Sequence, residues 1–474
     1  MRVLIVSANR ELVPDPVFPL GAAYIASAVR ESGHDTEILD VCFADDISST
    51  VKDKISSFEP DLVGVSIRNV DNVAYPLVLT YAEGHKYIID EIRSSYLGPI
   101  VMGGPAFTLM PEEFLDFTGV EMGILGEGED AMVELVEAMK NGGSLKGVPG
   151  LIVREGGRTK QRNGNGTMVD VNKLGTPARD LLDSAAYQKW GGMVGIQTKR
   201  GCPIGCIYCT YPVVEGKGIR MRDPRGVVDE IEKTNKEYGA DTFFVVDNVF
   251  NNPQEHAIEI ADEIKLRKMG LRFSAYLNPG FVSERLLGSL ADAGFTGIDY
   301  GVDSLSDGVL KNLGKNFTRD DVVRAVELTK GMDMECCLSM IFGGPGETLD
   351  TLKETVDTID EIDPTAVLAI VGVRIYSGTG MYEIAKREGA IDNDGVGLKP
   401  TFYISPDVAD EVVGYIAEVS LKHNNWLFPG HMIMAGQQLT PDQKPERYDQ
   451  GPLADFRKQG IKGNLWEMFG AVKK

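Results

Sequence analysis

The chain alternates short apolar runs with longer segments in which apolar residues recur every three or four positions. The short runs predict buried strands, and the 3.6-residue period predicts helices with one face on a core. VLIVSA is the first such strand, and LGAAYIASAVRESG after it is an amphipathic helix ending at Gly33. TEILDV, LVGVSI, PIVMGG and MGILGEG continue the strands. DDISSTVKDKISSFEP, the stretch from Tyr81 to Ser95, a short helix and the stretch from Asp130 to Lys140 fill the gaps. Repeated β-α units over residues 1–140 predict a parallel, doubly wound, Rossmann-like sheet. Ligands of such sheets sit beyond the carboxyl ends of the strands. The turns Gly103-Gly104 and Gly126-Glu127-Gly128-Glu129 are therefore candidate binding loops.

Residues 141–190 change character. NGGSLKGVPG and EGGRTKQRNGNG predict a β-hairpin and a linker. A second β-α series starts near Gly195, with strands GIQTK, TFFVVDN, RFSAYL, GIDYGVD, CCLSMIF and AIVGVRIY. Six units within residues 191–395 predict a partial (β/α)6 barrel, whose functional groups would lie at strand carboxyl ends. Residues 396–474 predict a small, mainly helical region with the helix ADEVVGYIAEVSLKH and an irregular tail carrying Trp426 and Trp466. Tyr403, Trp426 and Phe428 would suit an apolar substrate, but aromatic residues of this kind more often pack a core.

Composition narrows the class. The 474 residues are 43% hydrophobic and 25% charged, as in globular proteins with a large core. No apolar run is long enough to span a membrane. The start MRVLIVSANR reads as a buried strand and not as a secretory signal. A net charge of −22 argues against nucleic acid as a partner.

The chemistry is concentrated in RGCPIGCIYC. Cys202, Cys206 and Cys209 form C-x3-C-x2-C, three thiolates without a fourth. A closed zinc site or an electron-transfer cluster normally takes four ligands. Three thiolates on one loop can hold a [4Fe–4S] cluster and leave one iron open to a substrate or cofactor. Arg200, Arg220 and Arg222 flank the loop, as cluster-neutralising groups or as solvated charges. Six cysteines in a chain of this size do not make a disulfide framework, and a cluster needs reducing surroundings, so a cytoplasmic protein is expected. Cys336 and Cys337 are adjacent on one strand and must face opposite sides. Buried structural thiols are the simpler reading; the sharper one is a barrel-facing hydrogen donor or redox thiol.

The cysteine loop resembles that of the radical S-adenosylmethionine (SAM) enzymes, with Tyr208 at the aromatic position before the third cysteine. The resemblance covers roughly residues 190–385. It implies that the open iron chelates SAM, and that Asp247 and Asn248, after the second strand, meet the SAM amino group. GVDSLSD resembles G-V-E-S-G-S-D, which implies SAM contacts for Asp303 and Ser304. MIFGGPGET resembles I-x-G-x-P-G-E-T, which implies that Gly343, Gly344 and Gly346 let the backbone approach adenine and ribose. VRIYSGTGMYEIA resembles R-x-Y-P-G-T-x-L-Y and directs Arg374 toward the reaction chamber.

The first 140 residues resemble the cobalamin-binding domain joined to this barrel in the family of the anaerobic Mg-protoporphyrin cyclase and the cobalamin-dependent methylases. That resemblance implies cobalamin contacts at Ser66, Arg68, Gly103, Gly104, Gly126 and Glu127. The D-x-H-x-x-G motif that gives histidine to cobalt in mutases is absent, and Asn9-Arg10-Glu11-Leu12-Val13 stands in its place. The family implies a methyltransferase acting on an unactivated carbon of a small, apolar molecule through a 5′-deoxyadenosyl radical. An external reductant such as flavodoxin or ferredoxin would serve it. The alternatives are a radical cyclase, oxidase or rearrangement enzyme using cobalamin differently or not at all, and a non-catalytic iron–sulfur or cobalamin-binding protein.

Overall fold

The computed structural model describes residues 1–12, 15–391, 396–428 and 463–464. The first layer runs β1 (Arg2–Ser7), α1 (Leu20–Glu31), β2 (Asp35–Asp40), α2 (Ile47–Phe58), β3 (Leu62–Ser66), α3 (Ala82–Ser95), β4 (Ile100–Gly103), α4 (Pro105–Leu109), α5 (Pro111–Thr118), β5 (Met122–Ile124) and α6 (Glu129–Lys140). These five strands are parallel, in the order β2-β1-β3-β4-β5. Leu4 and Val6 of β1 pack with α2, α3 and α5, while Val3 and Ile5 pack with α1 and α6. A strand buried on both faces must be apolar throughout, which is why VLIV reads as a run and not as an alternation. The strand order reverses direction between β1 and β3, which opens a crevice at their carboxyl ends.

The predicted hairpin is present as β6 (Leu151–Glu155) and β7 (Arg158–Arg162). It is not a free connector: β6 pairs antiparallel with β5 and extends the first sheet to seven strands. The chain then forms α7 (Ser184–Trp190), β8 (Val194–Ile196), β9 (Lys199–Arg200), α8 (Tyr211–Val214), β10 (Arg220–Met221), α9 (Pro224–Tyr238), β11 (Thr242–Val245), α10 (Gln254–Arg267), β12 (Arg272–Leu277), α11 (Glu284–Ala293), β13 (Phe295–Asp303), α12 (Asp307–Asn312), α13 (Arg319–Gly331), β14 (Glu335–Phe342), α14 (Leu349–Ile362) and β15 (Ala366–Val371). It continues through β16 (Val373–Arg374), α15 (Gly380–Arg387), β17 (Phe402–Tyr403), α16 (Val412–Lys422) and β18 (Trp426–Leu427).

The second sheet is parallel, in the order β8-β11-β12-β13-β14-β15-β18. The six predicted strands are there, and β18 adds a seventh at the β15 edge. A two-residue strand is too short to leave a periodic signal. AIVGVRIY is not one strand. Gly372 has φ of +79°, and a Cβ there would lie 3.4 Å from Phe402, so the chain breaks after Val371 and turns into the separate β16–β17 ladder. The tail aromatics pack a core: Trp426 stacks on Phe342 at 6.1 Å, and Phe428 is buried. Tyr403 is also buried and donates to Glu388 (2.7 Å). Trp466 lies outside the described residues.

The two sheets meet at their carboxyl ends. Tyr75, in the segment after β3, bridges to Val371 at the end of β15, and α4 lies against α8.

Candidate active site

The cysteine loop leaves β9 through Gly201, whose φ is +88°; a Cβ there would collide with the Gly218 carbonyl oxygen. Backbone bonds then tie the loop to three other segments. Cys202 N–H donates to Gly216 (3.1 Å), Ile207 N–H to Leu313 (3.0 Å) and Met381 N–H to Ile207 (2.7 Å). The three thiols are free; Cys202 is buried and Cys206 and Cys209 are half-buried. Burial raises all three, Cys209 to about 12, while Lys199 acts on Cys202 and Lys315 on the other two in the opposite sense. Among the described residues no three His, Cys, Asp or Glu side chains converge on one ion. A cubane binds each thiolate to a different iron, so its ligands must be spread apart. Three reduced thiols on one pinned loop, with two ammonium groups beside them, fit that demand.

Tyr208 of the cysteine loop and Asp303 at the end of β13 come together. The Tyr208 hydroxyl donates to Asp303 Oδ2 (2.5 Å) and Lys315 Nζ reaches the same oxygen (2.5 Å). Asp303 has φ of +71°, a region costly for a non-glycine residue, and β13 shifts register beside it. Lys315 carries no motif and was missed by sequence reasoning.

Asp247 and Asn248 do not present free side chains. Asp247 is buried and accepts from Thr198 N–H (2.7 Å), the Thr198 hydroxyl and Lys199 N–H (3.3 Å), which fastens the strand entering the cysteine loop. Burial raises its pKa. Asn248 donates to Glu215 (2.9 Å), which also accepts from Gly201 N–H (3.1 Å). Lys199 is turned to the Phe250 and Asn252 carbonyls, and burial lowers it to about 8. Ser304 is fully buried, 3.4 Å from the Thr355 hydroxyl. In the glycine turn, Gly343 and Gly346 have φ of +89° and +78°. Gly343 N–H and Gly344 N–H both donate to Glu347, a fully buried carboxyl. The Thr348–Thr351 capping box then starts α14. Arg374 lies on β16, beyond the barrel strand that was expected to end in it. Its Nε donates to Asp71 (2.9 Å), and its guanidinium lies over Tyr376 (4.4 Å) and Phe402 (5.9 Å).

In the first layer, Ser66 and Arg68 stand at the β1–β3 crevice, and Arg68 donates to the Asn69 amide oxygen (2.8 Å). Ser66 is the last residue of β3 and is half-buried. Gly103 ends β4, and Gly104 has φ of +99°. Glu11, in the segment that replaces the mutase motif, accepts from the Tyr81 hydroxyl. Burial raises the Glu11 carboxyl. Of the four described histidines, His34, His256 and His423 are bonded elsewhere in the protein, whereas His85 is buried beside that segment and meets the Asn69 carbonyl (3.0 Å).

Glu127 does not point at a ligand. Arg220 grips both of its oxygens (2.6 and 2.6 Å), and Val169 N–H donates to it (2.7 Å). Gly126, one residue before, donates to Thr108 (3.0 Å). Arg200 pairs with Glu129 (2.6 Å) and Arg222 with Glu230 (2.8 Å). The three arginines beside the cysteines are thus neither solvated nor aimed at a cluster. Two of them join the β5–α6 turn to the strands on either side of the cysteine loop.

Two family models match these two layers. Residues 7–136 match the B12 binding domain, and residues 196–359 match the Radical SAM superfamily. The chain joins a B12-binding domain to a radical SAM domain. The cofactors of this pairing are a [4Fe–4S] cluster, SAM and cobalamin. An uncharacterized methyltransferase of Pyrococcus horikoshii is 29% identical over 81% of this chain and 83% of its own length. Tryptophan 2-C-methyltransferase of Streptomyces laurentii is 27% identical over 79% of this chain and 73% of its own length. The anaerobic magnesium-protoporphyrin IX monomethyl ester cyclase of Rubrivivax gelatinosus is 26% identical over 95% and 80%. The radical SAM methyltransferase TsrM of Kitasatospora setae, solved with cobalamin and a [4Fe-4S] cluster, superposes with a TM-score of 0.83 at 24% identity, covering 100% of this chain and 98% of that one. The last likeness shows the shared fold. No helix among the described residues is long and apolar enough to cross a membrane.

Proposed function

We propose that this radical SAM enzyme transfers a methyl group to a carbon atom of a small-molecule substrate. One observation carries the reading: α4, at the carboxyl end of β4 in the B12-binding layer, lies against α8, just after the cysteine loop. Methyl donor and SAM-cleaving site would then share one chamber. In this reading Cys202, Cys206 and Cys209 hold the cluster. Asp303, Tyr208, Gly343, Gly344 and Gly346 border the SAM site. Asp247, Asn248 and Ser304, whose side chains are occupied, act by fixing the loops around it. Ser66, Arg68 and Gly103 line the cobalamin side, with Gly104 and Gly126 shaping their turns. Bound there, the cluster would supply an electron to SAM and cobalamin would carry the methyl group. The protein's part is to hold the thiolates apart, keep Lys199 and Lys315 beside them and close the chamber against water.

The test is anaerobic reconstitution with iron, sulfide and hydroxocobalamin, then SAM and a reductant of the flavodoxin or ferredoxin class. About four irons and near one cobalamin retained per chain, with a product one CH2 heavier, is the expected result. Cys206→Ala should lose the cluster absorbance and all SAM turnover. Product of unchanged carbon count would instead support the cyclase-type reading, which the match across 95% of the chain to a cyclase keeps in view.

A further inference from the structure

Among the described residues, the inner face of the second sheet is only partly covered. Along β11 to β15 the positions facing the helices are buried in the core, among them Phe243, Phe273, Ile298, Leu338 and Ala369. The alternate positions face inward, and several retain exposure. Tyr276 is 44% exposed although it sits on a central strand. Phe244, Leu368 and Ile370 are half-buried and Gly301 is exposed. Gly297 and Gly301 put no side chain into this space, which keeps the bore open around the residue between them, Asp299.

Asp299 forms one inward rung with its register partners Tyr276 and Cys337. It lies four residues below Asp303, about 13 Å down the strand from the mouth where Tyr208 and Lys315 sit. Ser274, lower still, is fully buried and its hydroxyl donates to Asn464 (3.2 Å), which closes the bottom. The walls are apolar and aromatic; Phe244 meets Tyr276 edge to face at 4.9 Å. Within this setting Asp299 is 9% exposed, and among the described residues the Cys337 thiol, its register neighbour, is the weak donor beside it. No cation pairs with it among those residues. A carboxyl so placed is poorly satisfied by one weak thiol donor.

We propose that this bore takes the inner end of a flat, largely apolar substrate, and that Asp299 accepts a hydrogen bond from an N–H group on that molecule. The inference rests on the radical SAM reading above, in that the substrate must lie beneath the cluster mouth. The rise of about 13 Å from Asp299 to Asp303 leaves depth for a ring system below the mouth. Cys337 is then a support that donates to the second face of the carboxyl, and Cys336, which lies in the core on the helix side, has no part.

The test uses the full chain, loaded with cluster and SAM under anaerobic conditions, and two isosteric probes. Indole carries the N–H; benzofuran has an oxygen in its place. Calorimetric titration is expected to show indole binding roughly 10–100-fold more tightly. Asp299→Leu should bring that ratio to near one, and Asp299→Asn, which keeps an accepting oxygen, should restore part of it. Equal binding of both probes by the unaltered chain overturns the proposal, as does binding of neither, or a preference that survives Asp299→Leu. Methyl transfer is assayed separately. A lost preference with transfer intact sinks this inference alone, whereas a preference without transfer sinks the functional reading.

Discussion

Glu347 shows how one residue can set a pH response. It is fully buried, its Oε1 has no partner, and burial lifts its pKa from the ordinary 4.5 to about 7. The folded chain therefore keeps a proton that the unfolded chain releases above pH 4.5. Its contribution is fully present below that pH and is lost as pH rises through about 7. Glu347→Gln removes the titration and keeps an oxygen for Gly343 and Gly344 N–H. The variant should match the parent near pH 5 and exceed it at pH 8 by up to about 3 kcal/mol. Thermal unfolding of the cofactor-free chain at both values checks this; a Tm difference independent of pH would count against it. Asp303 shows the opposite economy, since its left-handed backbone is held in place by Tyr208 and Lys315 and not by a glycine.

At the scale of elements, the two glycines after β4 have separable roles. At Gly104 a Cβ would lie 2.5 Å from the Ile67 carbonyl oxygen, at φ of +99°. Gly104→Ala should cost at least roughly 1–3 kcal/mol, read as a lowered Tm. At Gly103 the nearest atom would be 3.7 Å away. Gly103→Ala should leave Tm unchanged and lower cobalamin retention. Equal retention by parent and variant would remove Gly103 from the binding surface. The same contrast explains what the sequence made legible. Strands β1 to β5 and β11 to β15 are short, mostly apolar runs set between amphipathic helices, and the cysteine spacing is a local signal. The partners of Glu127, Arg200, Asp247 and Arg374 are not local: Arg374 meets Asp71 from 303 residues away. Motif likeness placed these side chains at the right strand ends. It could not say which were already occupied by another part of the chain, and Lys315 has no motif at all.

At the scale of the molecule, Arg374 and Asp71 form a latch between the layers. Their side chains are 3% and 0% exposed. Removing one partner of a buried pair strands the other charge, so Arg374→Met should cost about 3–5 kcal/mol. Adding Asp71→Asn should recover part of the loss. An Arg374→Met chain as stable as its parent, by denaturant unfolding, would show the latch to be idle.

The Glu127 and Glu129 contacts also impose an order in time. Their arginine partners follow 93 and 71 residues later in the chain. At about 5–20 residues per second, a ribosome delivers Arg220 roughly 5–20 s after Glu127. Arg200 emerges first, so Glu129 gains its counter-charge before Glu127 does. The β5–α6 turn is therefore completed only once the strands on both sides of the cysteine loop have been made, which ties the last turn of the first layer to the arrival of that loop.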